Sequence, residues 1–197
     1  MGPYRKNMRA VVTLLVVALV VALAPSVAAE PRAQAFGDSV LLGAVAPLKQ
    51  REIRVNAEVS RQATAGPALL RKARAKLPRN VFLHFGTNGT YQLRTCKAMV
   101  DALGPKHRIF LVTVKVPRTW ERGNNRMLRR CAAAYAPGRV HIVDWNWAAS
   151  RRPQWLYSDG YHLRPTGAKN LARIMAEAIE RADRRVDLIT TKRLHSN

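Results

Sequence analysis

From residue 33 onward, short apolar runs alternate with stretches whose apolar residues recur at helical spacing. The runs Ala33–Phe36, Ile53–Val59, Val81–Phe85, Ile109–Val114 and Val140–Val143 have strand length and predict five strands. Between them, Val40–Leu48, Pro67–Lys76, Tyr91–Leu103, Asn124–Tyr135 and Pro165–Arg181 carry helical patterns. The last of these sets Leu171, Ile174, Met175, Ala178 and Ile179 on one face, with Thr166 near its start. Several strand candidates are uninterrupted apolar runs, as expected where both faces of a sheet are covered. Strand–helix alternation with right-handed crossovers predicts an α/β fold: a three-layer α/β/α sandwich around a central, mostly parallel five-stranded sheet.

In such sheets reactive groups collect beyond the carboxyl ends of the strands. Ser39 follows the first strand, Ser60-Arg61-Gln62 the second, Gly86-Thr87-Asn88-Gly89 the third and Val116-Pro117-Arg118 the fourth. Four loops therefore converge on one rim. The segment Asp159–His162, just before the last helix, has only to fold back over it.

The N-terminus breaks the pattern. Arg5, Lys6 and Arg9 precede an apolar run from Ala10 to Ala24, which Pro25-Ser26 ends, and Val27-Ala28-Ala29 supplies small residues for cleavage. This reads as an export signal over 1–29. The run is short against the roughly 20 residues of a membrane span. An uncleaved signal anchor is the alternative, and only then would this segment associate with the membrane. Residues 30–187 then form one domain and 188–197 a polar tail.

Composition narrows the class. Apolar residues make up 48% of the 197 and charged residues 23%, a globular balance. The formal net charge of +22 favours polyanions: nucleic acid, anionic lipid or, outside a cell, acidic wall polymers. The charge is scattered over Arg71-Lys72, Lys76, Arg129-Arg130, Arg151-Arg152 and Arg184-Arg185, with no aromatic-interleaved basic motif, which argues against nucleic acid. Generous use of surface arginine is the plain alternative. Cys96 and Cys131 are the only cysteines. In an exported chain they suggest one disulfide between neighbouring helices, the alternative being two buried thiols.

The candidate chemistry lies in two short motifs, Gly37-Asp38-Ser39-Val40 and Asp159-Gly160-Tyr161-His162-Leu163. A serine hydroxyl is a poor nucleophile until a base takes its proton. Ser39 stands where a strand turns into a helix, whose N-terminus favours developing negative charge. His162 is the natural base, and Asp159 can hold its Nδ1–H and fix the tautomer. Asn88 can donate to an oxyanion above Ser39, together with the Ser39 amide and an amide near Ser60. Plainer roles exist for each: Ser39 as a helix cap, Asp159 and Asn88-Gly89 as turn formers, His162 as a surface residue.

Gly37-Asp38-Ser39, Gly86-Thr87-Asn88 and Asp159-x-x-His162 resemble the first, third and fifth blocks of the SGNH (GDSL-type) hydrolase superfamily. Within it the chain is similar to the extracellular C-terminal domain of bacterial peptidoglycan O-acetyltransferases. Val59-Ser60-Arg61-Gln62, Val116-Pro117-Arg118 and Val143-Asp144-Trp145 extend the likeness. The resemblance implies a Ser39–Asp159–His162 triad, an acetyl-Ser39 intermediate and transfer to the C6 hydroxyl of N-acetylmuramic acid. Ser39, Ser60 and Asn88 would form the oxyanion hole.

Two departures stand out. Ser60 occupies a place where the second block normally offers glycine, and Gly89 one where the hydrolases usually carry Asp. In the transferases this domain follows a multi-span membrane region. The expected acetyl donor here is therefore a separate membrane acyltransferase or a soluble ester. With water as acceptor, the same triad makes an esterase of acetyl or short-chain carbohydrate or carboxyl esters.

Arg61, Gln62 and Arg118 are candidates for contacting a cell-wall glycan, and Asn125 for positioning a loop. Asp144–Trp147 offers a sugar platform or packing beneath the last loop, and His84 a core group satisfied near the site. His107, His141 and His195 lack ligand spacing, so neither a metal nor an organic cofactor is expected. The expected product is a secreted or extracytoplasmic monomer acting on cell-wall glycan or a small acyl ester. The rival of another class is a non-catalytic, basic wall-binding protein.

Overall fold

The structure is a computed structural model that describes residues 30–194, with side chains to residue 186. The export signal expected over 1–29 lies outside the described residues, as does the end of the expected tail, 195–197.

Five strands form one sheet: β1 (Ala33–Gly37), β2 (Ile53–Ala57), β3 (Asn80–His84), β4 (Arg108–Val112) and β5 (Val140–Val143). Their order is β2-β1-β3-β4-β5, and every pairing is parallel. The sheet expected from the apolar runs is the one observed. The inner strands β1, β3 and β4 are buried at every position, whereas edge strand β2 buries Ile53 and exposes Arg54 and Asn56.

The helices are α1 (Ser39–Leu42), α2 (Val45–Lys49), α3 (Gly66–Ala73), α4 (Leu93–Leu103), α5 (Glu121–Ala133), α6 (Trp145–Ser150) and α7 (Pro165–Leu194). Where one helix is expected over Val40–Leu48, two short ones stand. Pro47 is the reason: it has no N–H to give the Gly43 carbonyl, and its ring crowds that carbonyl. The last helix starts at Pro165 as expected but runs on beyond Arg181 to Leu194.

Two apolar layers sandwich the sheet. On one side Leu41, Leu48, Trp145, Leu171, Met175 and Ile179 pack against Phe82 and Phe110, whose rings stack 4.6 Å apart. On the other, Leu70, Met99, Leu103 and Leu128 cover Phe36, Leu83 and Ile109. Each of these large side chains, once buried, contributes roughly 1.5–3 kcal/mol against exposure. Cys96 on α4 and Cys131 on α5 are wholly buried in the second layer and form the expected disulfide. Among the described residues, no helix is long and apolar enough to cross a membrane.

Candidate active site

Strand β1 ends at Gly37, and the chain turns at once into α1. Gly37 has no room for a side chain: a Cβ there would meet the backbone oxygen of His84, on β3, at 2.6 Å. Asp38 is fully buried and caps α1, its carboxylate accepting from Val40 N at 3.2 Å and from Thr87 N at 3.4 Å. One carboxylate thus locks the loop after β3 to the turn after β1. Ser39 is left half-buried at the first residue of α1.

From the far end of the chain, a tight turn brings in the other two groups. Leu156 and Leu163 pair as an antiparallel bridge, and Tyr157 N donates to His162 O at 2.9 Å. Gly160, at φ +78°, supplies the left-handed residue that this turn requires. The turn is braced from the loop after β4, since a Cβ on Gly160 would lie 3.3 Å from Pro117 Cγ. Asp159 Oδ1 accepts from the amides of Tyr161 and His162, both at 3.0 Å. Its Oδ2 lies 2.7 Å from His162 Nδ1, and His162 Nε2 lies 3.2 Å from Ser39 Oγ.

A carboxylate only accepts, so the imidazole proton resides on Nδ1 and the Nε2 lone pair faces the serine. Ser39 Oγ–H therefore donates to Nε2. Partial burial works against the Asp159 charge, but the two amides and the imidazole hold its carboxyl below the usual range. The arrangement can pass a proton from the hydroxyl to the ring while the carboxylate steadies the cation formed. It does so in the open: the Asp159 and His162 side chains are 38% and 39% exposed.

The remaining sequence candidates divide. Asn88 stands half-buried on the third loop, one N–H of its amide donating to Arg61 O at 3.4 Å, which leaves the second. Ser60 is exposed at φ +59°, so the place where the superfamily prefers glycine is a left-handed residue. Arg61 differs from expectation. Its guanidinium is committed to Gly37 O, Asn56 O, Asn56 Oδ1 and Glu58, at 2.8–3.3 Å, and so ties the ends of β1 and β2 together instead of reaching for glycan. Gln62 is exposed over Gly89 and donates to Ser60 O, while Arg118 is exposed beside Pro117.

Positioning is shared more widely than Asn125 alone. Asn125 does bracket the β4 exit, accepting from Val114 N and donating to Val114 O, both at 2.8 Å. Its neighbour Asn124, passed over in the sequence, stitches the Asn88 loop: its amide donates to Gly86 O and Gly89 O and accepts from Tyr91 N, at 2.8–3.0 Å. The only sequence signal was an Asn pair within a helix, a poor place for Asn unless its side chain serves another segment. Asp38 was likewise legible only as part of a motif.

His84 also departs from expectation. It is buried, but neither ring nitrogen has a hydrogen-bond partner among the described residues. Burial lowers its pKa against the pull of the Asp38 carboxylate. The Trp145–Trp147 segment splits: Trp145 is buried and stacked on Trp155, while Trp147 is exposed under Arg151.

No family model matches the chain. Relatives nevertheless emerge by sequence. The Bacillus subtilis protein YrhL is 32% identical over 150 residues, covering 74% of this chain and 23% of that protein. The O-acetyltransferase OatA of Staphylococcus aureus is 31% identical over 150 residues, covering 74% of this chain and 24% of OatA. The chain therefore spans under a quarter of the length of these relatives.

Among solved structures, the C-terminal catalytic domain of the Streptococcus pneumoniae peptidoglycan O-acetyltransferase OatA superposes with a TM-score of 0.67. That match has 23% identity and covers 76% of this chain and 93% of that domain. A GDSL-like lipase from Bacteroides thetaiotaomicron gives 0.62 at 18% identity, covering 82% of this chain and 94% of the lipase. Parallel-sheet topology and the blocks on its rim resemble those of the SGNH (GDSL-type) hydrolases, whose fold the chain shares with these solved structures, and its sequence is similar to that of peptidoglycan O-acetyltransferases.

Proposed function

We propose that this chain is an exported, serine-dependent acyl-transfer enzyme that acetylates peptidoglycan. One observation carries the reading: Ser39, His162 and Asp159 lie in a continuous hydrogen-bonded line, at 3.2 and 2.7 Å, on the rim of the sheet. Ser39 Oγ attacks the carbonyl carbon of an acetyl ester as its proton passes to His162 Nε2. The tetrahedral oxyanion is met by the amides of Ser39 and Ser60 and by the Asn88 side chain. Collapse expels the donor alkoxide, which takes the proton from His162 and leaves acetyl-Ser39. The C6 hydroxyl of N-acetylmuramic acid then gives its proton to His162 and attacks the acetyl carbon, and collapse expels Ser39 Oγ, which takes that proton back from His162. The donor is an acetyl ester, and the domain works as a monomer outside the cytoplasmic membrane.

The openness of the site supports a second reading. With the base 39% exposed, water has access to the acyl-serine, and the same groups then act as an esterase.

The test is a purified-protein assay with an aryl acetate, with and without muro-oligosaccharide. Acetate release and a mass adduct of one acetyl on Ser39 are expected, with label diverted to sugar when glycan is present. Acetate release unchanged by glycan, with no acetylated sugar, removes the transferase reading in favour of the esterase. Ser39→Ala and His162→Ala should each lower turnover by several orders of magnitude. Turnover untouched by both would leave only the wall-binding reading.

A further inference from the structure

At the end of the sheet opposite Ser39, the turns leading into β3 and β4 enclose an open cleft of about 640 Å3. Arg74, Arg79, Lys106 and His107 line it together with Leu77 and Leu103, and no carboxylate does. Several cations elsewhere have a carboxylate partner: Arg32 pairs with Glu180, Arg108 with Asp183, Arg129 with Asp144 and Arg173 with Glu177. Among the described residues, the side chains of Arg74, Arg79 and Lys106 have neither an ion-pair nor a hydrogen-bond partner. His107 donates from Nδ1 to Leu103 O at 2.7 Å, which fixes its ring in the wall of the cleft.

We propose that this cleft is a second binding site, which holds a flexible phosphodiester polyanion. Three unneutralised cations around one concavity repel each other, and an anion between them removes that cost. Guanidinium forks match phosphate oxygens in pairs, and an ammonium adds a point charge. The concavity favours a chain that can thread into it over a flat bilayer. Strand β1, five residues long at roughly 3.3 Å each, separates the cleft from Ser39 by about 15 Å or more. A bound polymer would hold the protein by the end away from its acyl-transfer rim.

The test measures binding of the full-length chain to short poly(glycerol phosphate) across a salt series. The variant Arg74→Gln/Arg79→Gln/Lys106→Gln is compared with Arg122→Gln/Arg126→Gln/Arg130→Gln, which removes the same charge from α5. The cleft variant should bind at least about tenfold more weakly in low salt, and its slope of log affinity against log salt should be shallower by about 2. The α5 variant should stay close to wild type. Equal losses in both variants would mean a diffuse electrostatic surface and overturn the site. Retained polymer binding by the cleft variant, with lost binding to anionic phospholipid vesicles, would overturn it in favour of a membrane. Thermal unfolding of each variant checks folding, and the single variants Arg79→Gln and Lys106→Gln carry the same comparison should the triple variant unfold.

Discussion

Single residues set the accuracy of this rim, and Ser60 is the plainest case. Its φ of +59° lies in the left-handed region, where a side chain costs on the order of 1 kcal/mol. Glycine relieves that strain but loosens the unfolded chain, which offsets part of the gain. Ser60→Gly should therefore keep acetyl-ester turnover and raise stability by about 0.5 kcal/mol in chemical denaturation. A loss of stability would show that the serine side chain supports the loop. Asn124 acts at a distance from the chemistry, as a positioning residue, through the carbonyls of Gly86 and Gly89 and the amide of Tyr91. Removing its amide leaves buried polar groups unsatisfied, at about 1–3 kcal/mol each. If Asn88 has the proposed oxyanion role, Asn124→Ala should lower kcat for an aryl acetate by tenfold or more while KM changes little, because the loop that carries Asn88 loses its anchor. Asn88→Ala should cost about 10²–10³ in kcat directly. If Asn124→Ala altered stability alone, with kcat intact, Asn124 would be a fold residue and no more.

Elements carry the next level. The disulfide joins α4 to α5 on one face of the sheet across a sequence separation of 35 residues. Closing a loop of that length in the unfolded chain is worth about 3–4 kcal/mol by the chain-entropy argument. Cys96→Ser/Cys131→Ser should therefore lower unfolding stability by that order, while aryl-acetate turnover at moderate temperature persists, because Ser39 and His162 ride on other elements. A change well under 1 kcal/mol would mean the helices are already held by Met99, Leu103 and Leu128. Elements were also the level most legible from sequence. Continuous apolar runs mark β1, β3 and β4 because those strands are covered on both faces, and loops after parallel strands must share one rim. The break at Gly43 was missed because apolar periodicity continues through it while Pro47 removes the bond that would join the turns. At the site, motif spacing pointed to Ser39, Asp159 and His162, whose side chains the fold brings into one hydrogen-bonded line. Arg61 was misjudged because an arginine beside a reactive loop reads alike whether it faces ligand or folds onto Gly37 O. Asn124 escaped because its partners lie 33–38 residues away in sequence, a separation to which local pattern is blind.

At the scale of the whole molecule, the question is what acid does to so basic a chain. With a formal net charge of +22 at pH 7, every proton added below neutrality increases self-repulsion. His84 makes one part of that response specific. It sits at the end of β3, inside the sheet, and burial holds its pKa below the ordinary 6.5, with Asp38 pulling the other way. Between its depressed value and 6.5, the unfolded chain binds a proton that the folded chain refuses. Stability must then fall as pH drops through that window, and rise again as pH is raised toward neutrality. A residue that cannot titrate removes this contribution: His84→Gln should flatten the pH dependence of the urea midpoint from about 6.5 downward, relative to wild type. Asp38 and Gly37 lie against the same strand end, so wild-type acid loss should appear first as lost turnover, before global unfolding by far-UV circular dichroism. Parallel decline of wild type and His84→Gln over that range would assign the acid sensitivity to overall charge, and the buried imidazole would have no part in it.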